Sequence, residues 1–362
     1  MPMFVLLLFA CDGLLFGGDK SSTDDSPAEP TTSVGTVSSS TPTADTGTPT
    51  PTADTAPDTG FTAAGPTADT GTTADTGTPP VGDCDLNVLS SRALAVARVD
   101  DIPASEDFEF DAFGHLVNVS DAVDAVMKTT YTGNSTLVAP YSSIEIAGTR
   151  LLPDGNLVFA DEWDGAIVKV DMTTGAQSVL AAGLVSPNSL AVNSEGVVFV
   201  GGYGEVMRVF PDGRVERIFD QPFSDFDGLS LSPDERELYF NHDDGGTVGV
   251  IRFDANDQVI DVRGIVDLIT GGWGTALNGA SVDACGRYYV TDISGRILRV
   301  DPSTAAVVEY ADLDNVGAGF TTTMRFGSGV GGWQEHALYV MDRSGFVWEL
   351  TTDIGGAPLP HL

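Results

Sequence analysis

Hydrophobic and polar residues alternate in a short unit that recurs through much of the chain. In one copy, Pro187–Gly202, a polar start precedes an alternating strand, a turn ends at Gly196, and a second, apolar strand follows. Period-two alternation interrupted by a glycine-containing turn predicts a β-hairpin. Segments of the same shape occupy four other places: Glu106–Val119, Ala147–Ala160, Phe226–Asn241 and Asn278–Val290.

The spacing of these hairpins predicts how they are arranged. Their turn positions follow one another at intervals of 41, 41, 39 and 51 residues, at Gly114, Gly155, Gly196, Glu235 and Gly286. Such a period, with about four short strands per copy, is typical of a β-propeller blade. With a last copy from Phe320 to about Thr351, the count predicts an all-β, six-bladed β-propeller over residues 84–362. The strand-like run Ala93–Val99 is expected to complete the last blade and close the ring.

The composition of the segment before the propeller does not allow it to form a hydrophobic core. Phe4–Ala10 is a short apolar run that ends at Cys11, which resembles a bacterial lipobox with a lipidated cysteine; a plain export signal is the alternative. Residues 1–11 are therefore predicted to be a signal segment, and the Thr/Pro/Asp-rich residues 12–83 a disordered linker. With a lipid on Cys11, the chain would be a lipoprotein of the bacterial cell envelope, in the periplasm or on the outer surface.

The charge of the chain limits its partners. It has 52 Asp and Glu residues against 17 Lys and Arg, for a net charge of −35. A surface this acidic repels nucleic acid and anionic lipid headgroups, so no nucleic acid is expected and the membrane is contacted only through the N-terminal lipid. The expected partner of this monomer is a small-molecule ligand or another envelope component.

The cysteines indicate a disulfide and not a zinc site. Three are present, Cys11, Cys84 and Cys285, and none has the CxxC or Cys/His spacing of a zinc ligand. Cys84 begins the predicted propeller and Cys285 lies in the turn of its fifth hairpin, so an exported chain could join the two; two separate thiols are the alternative.

The order and spacing of the hairpin motifs resemble one family of six-bladed propellers. From Glu106 to about Leu350 the chain is similar to the senescence-marker-protein/gluconolactonase family, which includes regucalcin. The individual motifs are common to six-bladed propellers, and NHL-like and strictosidine-synthase-like propellers are the main alternative. The resemblance rests on five stretches: EDFEFDAFGHLVNV (Glu106–Val119), PNSLAV (Pro187–Val192), DGLSLSPD (Asp227–Asp234), NGASVD (Asn278–Asp283) and TTMRFG (Thr322–Gly327).

The resemblance implies a divalent cation, Ca²⁺ or Mg²⁺, at the central mouth of the ring. The family's ligand positions fall on Glu106, Asn188, Asp227 and Asn278, with Asp and Asn exchanged at the last two. Two carboxylates and two amide oxygens still form a hard, all-oxygen set that suits such a cation. The alternative is that these residues only form turns where the blades begin.

The resemblance also implies hydrolysis of a lactone or another cyclic ester. That reaction needs a cation to polarise the carbonyl and a carboxylate to activate water. The family places the carboxylate at the position of Asn278, whose amide accepts no proton, so Asp227 or Glu106 is expected to take this role. Arg325 either binds an anionic substrate or pairs with an acid between blades. Ser186 stands where members of the family that hydrolyse sugar-acid lactones often have an Arg that binds the substrate. A non-catalytic, NHL-like propeller that binds a ligand or protein at the envelope is the alternative.

Overall fold

The folded part of the chain is built from 22 β-strands and one short 3-10 helix, Asp314–Val316. The computed structural model describes residues 84, 96–99, 102–243, 246–269, 271–272 and 276–362. The predicted signal segment, lipidation site and linker lie outside the described residues, as do the first three residues of the predicted strand Ala93–Val99. Among the described residues, no helix is long and apolar enough to cross a bilayer.

Three of the sheets are regular four-stranded antiparallel meanders, as the alternating pattern predicts. The first contains β2 (Phe108–Phe110), β3 (His115–Ser120), β4 (Ala125–Thr130) and β5 (Ser135–Pro140). The second contains β6 (Ile146–Leu151), β7 (Leu157–Asp161), β8 (Ala166–Val170) and β9 (Gln177–Ala182). The fourth contains β16 (Leu277–Val282), β17 (Tyr288–Asp292), β18 (Arg296–Asp301) and β19 (Ala306–Asp312).

The third sheet is larger, because two predicted repeats share continuous strands. It has six strands in the order β10 (Leu190–Val192), β11 (Val198–Val209), β12 (Val215–Leu231), β13 (Glu237–His242), β14 (Thr247–Phe253) and β15 (Val259–Asp267). The first part of β11 pairs with β10 and its last part with the beginning of β12, whereas the end of β12 pairs with β13.

The prediction of six separate blades is therefore wrong: the described chain forms five hydrogen-bonded sheets. The six-stranded sheet is nevertheless bent, since Phe199 and Val206 of β11 share a buried cluster with Phe226 of β12 and Phe240 of β13. Its two halves thus pack face to face. The sheet contributes two segments, β10 and the end of β12, to the ring of innermost strands around the axis.

The fifth sheet closes the ring with a strand from the other end of the domain. Its order is β1 (Val96–Val99), β22 (Val347–Thr351), β21 (Ala337–Asp342) and β20 (Thr321–Phe326). β1 pairs antiparallel with β22, with Val99 opposite Val347. The prediction that the N-terminal strand completes the last sheet is confirmed.

The core lies between neighbouring sheets, so the inner strands are buried on both faces. All five residues of β7 are buried, and Val158 and Ile167 of the second sheet pack against Leu190 and Val198 of the third. This two-sided burial explains why the second strand of each hairpin is a continuous apolar run, since neither face meets water. The axis itself is lined by the less apolar strands β2, β6, β10, β12, β16 and β20.

Candidate functional site

A pocket lies at one end of the axis, where the innermost strand segments begin; we call this end the mouth. All four predicted ligands, Glu106, Asn188, Asp227 and Asn278, line this pocket together with Thr322. The four ligands are half-buried, whereas the residue that follows each of them is buried. The sequence places these residues at one phase of the repeat, and the structure brings them to one place.

Irregular pairing directs several of these side chains into the mouth. The register of β12 against β13 shifts between Phe226 and Gly228, so Asp227 lies at the shift. The register of β16 against β17 shifts in the same way between Leu277 and Ala280, around Asn278. Such bulges bend a strand and redirect one side chain. The two bulges interrupt the alternation of side chains along β12 and β16, and the side chains of Asp227 and Asn278 therefore face the mouth.

Glycines below the mouth let neighbouring inner strands come close together. A Cβ atom on Gly279 would lie 2.4 Å from the Cα atom of Thr323 in the next sheet, and one on Gly148 would lie 2.5 Å from the carbonyl oxygen of Asn188. The amide of Gly148 donates a hydrogen bond of 2.7 Å to that same oxygen. The close contact fixes the backbone of Asn188, and it leaves no room for a side chain at either glycine.

Asn188 and Asp227 are joined directly. The Nδ2 atom of Asn188 donates a hydrogen bond of 2.8 Å to Oδ1 of Asp227. This bond uses the amide nitrogen, so the Oδ1 atom of Asn188 is the one available to a cation, as is Oδ2 of Asp227. The pairing therefore orients an amide and a carboxylate for shared coordination.

Carboxylates crowd the mouth and raise each other's pKa. Burial, with the negative charges of Asp225, Asp243 and Glu106, raises the pKa of Asp227 well above its usual value. Burial also raises the pKa of Glu106, although Arg343 acts in the opposite direction. A site that holds this much negative charge favours a cation, because a positive ion would relieve both the desolvation and the repulsion.

Glu106 has one cationic neighbour and a carboxylate oxygen that could still coordinate a cation. The Nε atom of Arg343 lies 3.2 Å from Oε2 of Glu106, and the Arg343 side chain is 53% exposed. The two groups form an ion pair without the alignment of a hydrogen bond, and Oε2 is buried with no hydrogen-bond partner among the described residues. A buried carboxylate oxygen without a donor is an atom that a metal ion would satisfy.

Four further acids surround the pocket, and the sequence analysis missed them. The amide of Glu162 donates a 3.1 Å hydrogen bond to the carbonyl of Glu145, and that of Asp243 donates one of 3.1 Å to Asp225. Burial and the charges of Glu145, Asp225 and Glu106 raise the pKa of Glu162 to about 7. The repeat phase could have identified two of these acids, because Glu145 and Asp225 each stand ten residues before a turn position of the repeat, Gly155 and Glu235.

The floor of the pocket is a buried ion cluster centred on Asp107. Its carboxylate pairs with Arg150 at 2.5 Å and with Arg325 at 3.0 Å, and it accepts hydrogen bonds from the Thr323 hydroxyl at 2.8 Å and the Thr149 amide at 2.9 Å. Burial acts to raise the pKa of Asp107, but the two guanidinium groups together with the hydrogen bonds from Thr149 and Thr323 outweigh it, and the pKa is lowered. Asp107 therefore joins its own sheet to both neighbouring sheets of the ring.

Arg325 lies below the mouth and does not line its pocket. It is 5% exposed, and its Nη atoms bond Asp107 and, at 2.9 Å, the carbonyl of Ala280. Burial lowers the pKa of Arg325 to about 10, with Arg150 as the second cause. Of the two contacts predicted for Arg325, a substrate anion or an acid between blades, the structure shows the acid, which is Asp107. Binding of a substrate by Arg325 stays a prediction.

A second cavity, of about 450 Å³, lies at the opposite end of the axis. Arg150 and Arg325 separate it from the mouth, and the C-terminal residues Ala357–Leu362 line it. Ala357 donates a 2.9 Å hydrogen bond to Val282, and His361 Nε2 lies 2.6 Å from the carbonyl oxygen of Phe110. The C-terminal segment is therefore attached to the end of the ring away from the mouth.

His115 and Trp333 have structural surroundings. His115 Nδ1 lies 3.0 Å from Asp111, and Trp333 is fully buried with its indole donating to the carbonyl of Gly114 at 3.1 Å. Trp163 is 63% exposed, and Trp273 lies outside the described residues. In the part of the chain that the structure describes, no three His, Cys, Asp or Glu side chains form a metal cluster, so any cation at the mouth depends on the amides.

A disulfide joins Cys84 to Cys285, with their Cα atoms 5.8 Å apart. The two cysteines are 201 residues apart in the sequence, so the bond ties the start of the folded domain to the turn after β16. That turn is at the end of the axis opposite the mouth. The bond therefore belongs to the closure of the ring and not to the candidate site.

The donor set at the mouth fits a hard divalent cation. Two carboxylates and two side-chain amides, all half-buried, meet in one pocket, and such oxygen ligands suit Ca²⁺ or Mg²⁺. For proton transfer the set lacks a carboxylate at the position of Asn278, because the Asn278 amide accepts no proton. Of the three carboxylates that line the pocket, Asp107 is already paired with Arg150 and Arg325, so Asp227 and Glu106 are the two that could transfer a proton. Asp227 is the one already hydrogen-bonded to another ligand.

The fold and this pocket define a β-propeller with an oxygen-lined site at one end of its axis. The family described as the SMP-30/Gluconolactonase/LRE-like region matches residues 126–342, which is more than half of the chain. The chain belongs to this family.

Individual relatives share the family at low to moderate identity. A gluconolactonase from Zymomonas mobilis subsp. mobilis (strain ATCC 31821 / ZM4 / CP4) is 32% identical over 133 residues. That alignment covers 30% of this chain and 37% of the relative, so the chain matches little more than a third of that protein's length.

Solved structures confirm the fold. A gluconolactonase from Xanthomonas campestris superposes with a TM-score of 0.57 at 18% identity, over 75% of this chain and 96% of the other. A calcium-binding protein, regucalcin, from Agrobacterium tumefaciens str. C58 gives 0.58 at 20% identity, over 74% and 98%. Virginiamycin B lyase from Staphylococcus aureus gives 0.53 at 12% identity, over 71% and 99%. One fold therefore serves proteins with different names and tasks.

Proposed function

We propose that the protein is a divalent-metal-dependent hydrolase of lactones or other cyclic esters. The observation that carries this proposal is the convergence of Glu106, Asn188, Asp227 and Asn278 on one pocket at the mouth. Membership in the SMP-30/Gluconolactonase/LRE-like family and a relative described as a gluconolactonase support the reaction class. The calcium-binding regucalcin with the same fold supports Ca²⁺ as the metal.

The four ligands would hold the cation, and Asp227 would act as the base. When bound, the cation supplies Lewis-acid polarisation of the lactone carbonyl and a more acidic water. Asp227 takes a proton from water, and the water oxygen forms a bond to the carbonyl carbon. The ring C–O bond then breaks, and the ring oxygen leaves as a hydroxyl after Asp227 returns the proton. Asn188 holds the Asp227 carboxylate in place through its 2.8 Å hydrogen bond.

A second candidate function is favoured by Asn278. If the family's usual base is required, an amide at this position removes catalysis and leaves a propeller that binds its ligand or partner through the metal. Metal binding is common to both candidates, and turnover is what separates them.

Two measurements on the full chain test these alternatives. Ca²⁺ at about 100 times its Kd should raise the free energy of unfolding by about 2.7 kcal/mol, and a chelator should reverse this rise. Hydrolysis of a lactone panel should require Ca²⁺ and should be lost in Glu106→Gln and Asp227→Asn. Glu309→Gln, an exposed position on the outer strand β19, is the control and should keep both properties.

The outcomes are distinct. Stabilisation without hydrolysis of any lactone would favour the binding candidate. No stabilisation by Ca²⁺, Mg²⁺ or Mn²⁺ would remove the metal site and the hydrolase together.

We also propose that the propeller is displayed outside the cytoplasm as a monomer, held to the cell envelope by a lipid on Cys11. The disulfide between Cys84 and Cys285 supports an oxidising compartment. Metabolic labelling with a fatty-acid analogue should mark the wild-type chain and not Cys11→Ser, and labelling of both would contradict a lipid at Cys11. Light scattering of the chain without its first 11 residues should give the monomer mass.

A further inference from the structure

We propose, resting on the hydrolase function above, that the substrate carries an apolar group and no negative charge. The inference concerns the loops around the mouth, which the proposed reaction does not use. It rests on the apolar side chains that these loops expose, on the backbone of one of them, and on the distribution of charge.

Large apolar side chains are exposed all around the mouth. The segments at this end are loops, except for the parts of β11 and β12 that contain Tyr203 and Phe223. Each either leads into an innermost strand or joins the second strand of a repeat to the third. Phe223 is 79% exposed, Ile144 71% and Trp163 63%. The described residues of these segments expose six more: Val123, Val185, Tyr203, Ile269, Val316 and Phe320. Nine large apolar side chains exposed at one end of the axis are more typical of a binding surface than a single exposed residue is.

These side chains are tied to the metal pocket by short connections. Val185 lies three residues before Asn188, and its carbonyl accepts a 3.2 Å hydrogen bond from the amide of Tyr203. The carbonyl of Phe320, two residues before Thr322 of the pocket, accepts a 2.9 Å bond from Arg343. These hydrogen bonds attach the apolar segments to the strands that hold the ligands, and we call these segments the apolar rim.

Phe223 is held in a conformation that its side chain does not favour. Its φ angle is 66°, in the left-handed region that favours glycine. A bulky residue in this region is uncommon and strained. Here the unfavourable angle belongs to the most exposed aromatic residue of the rim, four residues before Asp227. Such strain is typical of a residue that contacts a ligand.

The charges of the mouth disfavour an anionic substrate. Glu145, Glu162, Asp225 and Asp243 surround the pocket, and Arg343 is the basic side chain in the described mouth loops. Arg343 is already paired with Glu106 at 3.2 Å. Arg150 and Arg325 lie in the floor and pair with Asp107. A substrate carboxylate would therefore meet repulsion without a free basic partner, whereas the carboxylate product of hydrolysis would be repelled outward.

Three lactones with the same six-membered ring test the inference on the Ca²⁺-loaded full chain. They are δ-decalactone with its pentyl chain, the neutral polyhydroxylated glucono-δ-lactone, and a δ-lactone that carries a carboxylate in its side chain. We expect kcat/KM for δ-decalactone to exceed that for glucono-δ-lactone at least about 10-fold, the range in which apolar pockets discriminate. The carboxylate lactone should be the poorest of the three.

A matched pair of variants locates the apolar contact. Trp163→Ala should raise KM for δ-decalactone about 3- to 10-fold, with kcat and the rates with glucono-δ-lactone unchanged. Val179→Ala is the control, because Val179 is 62% exposed on the outer strand β9 of the same sheet. Calorimetric binding of the corresponding pentyl δ-lactam, which is not hydrolysed, should weaken by the same factor in Trp163→Ala and not in Val179→Ala.

The possible results separate this inference from the function on which it rests. Faster hydrolysis of glucono-δ-lactone or of the carboxylate lactone would overturn the inference and leave the hydrolase. Hydrolysis of none of the three, with Trp163-dependent binding of the lactam, would overturn the hydrolase and leave an apolar ligand at the mouth. Equal lactam binding by both variants and the wild type would overturn the role of the rim.

Discussion

Asn188 donates its side-chain amide to Asp227 across the bend of the six-stranded sheet, at 2.8 Å. The two residues begin different innermost segments and are 39 residues apart in the sequence. The bond aligns one amide oxygen and one carboxylate oxygen at the mouth. It also links the part of the sheet formed by β10 and β11 to the part formed by β12 and β13.

Replacing Asn188 tests whether this alignment serves a cation. Asn188→Leu removes one oxygen ligand and releases Asp227, so we expect the Ca²⁺ affinity to fall by at least about 10-fold. Isothermal titration calorimetry measures the affinity directly. Asn134→Leu, at an exposed turn on the opposite face, should leave it unchanged. Equal affinity in Asn188→Leu and the wild type would mean that Asn188 is not a ligand.

The Asp107 cluster makes a prediction about stability. Asp107→Asn leaves Arg150 and Arg325 buried without their shared counter-charge, which should lower the free energy of unfolding by about 3–5 kcal/mol. Asp154→Asn breaks the exposed pair with Lys169 and should change it by about 0–1 kcal/mol. Urea unfolding followed by fluorescence measures both.

A quadruple variant separates the charge from the packing in this cluster, because buried Glu109 also lies 3.6 Å from Arg325. Asp107→Leu and Glu109→Leu combined with Arg150→Met and Arg325→Met remove all four charges together, and this variant should recover much of the stability that Asp107→Asn loses. If the quadruple variant is less stable than Asp107→Asn, the hydrogen bonds of the cluster and not its charge balance hold the sheets together.

The alternation of the sequence was sufficient to predict the strands but not their continuity. Gly201–Gly204 and Gln221–Asp225 contain the glycine, proline and aspartate residues that favour loops, which is why the sequence predicts separate blades. In the structure both stretches stay within strands β11 and β12. Close contact explains part of this, since a Cβ atom on Gly202 would lie 2.5 Å from the carbonyl oxygen of Val185. Such contact depends on tertiary structure that no local pattern contains.

The candidate site was predictable to the extent that it follows the repeat. Glu106, Asn188, Asp227 and Asn278 share one phase of the hairpin, and a ring of hairpins brings equal phases together. The floor was not predictable in this way, because Asp107 meets Arg325 across 218 residues of sequence. Nothing in the neighbourhood of either residue indicates the other, so only the closure of the ring reveals the pair.

The acids of the mouth predict how stability depends on pH in the absence of metal. The pKa of Glu162 is raised from 4.5 to about 7, by burial first and then by Glu145, Asp225 and Glu106. A raised carboxyl pKa means that the folded state binds a proton more tightly than the unfolded state. The resulting stability is present below pH about 4.5 and is lost as the pH rises to about 7.

Urea titrations between pH 4.5 and 7.5 in a chelator measure this dependence. The free energy of unfolding should fall with rising pH more steeply in the wild type than in Glu162→Gln. Glu195→Gln, at an exposed turn on the other face, should follow the wild type. Saturating Ca²⁺ should flatten the wild-type curve, because a cation at the mouth offsets the repulsion. An identical slope in Glu162→Gln and the wild type would contradict the crowding of acids at this position.

Close contact between inner strands makes Gly279 intolerant of any side chain. Gly279→Ala places a Cβ atom 2.4 Å from the Cα atom of Thr323, so the β16 and β20 backbones must separate. We expect a loss of about 1–3 kcal/mol and weaker Ca²⁺ binding, since Asn278 is the preceding residue. Gly264→Ala is the matched control, because its Cβ would meet only Thr247 Cγ2, at 3.7 Å, and alanine has the lower backbone entropy in the unfolded chain. Thermal unfolding with and without Ca²⁺ measures both effects. An equal loss of stability in the two variants would mean that strand propensity, and not the contact between β16 and β20, causes the effect.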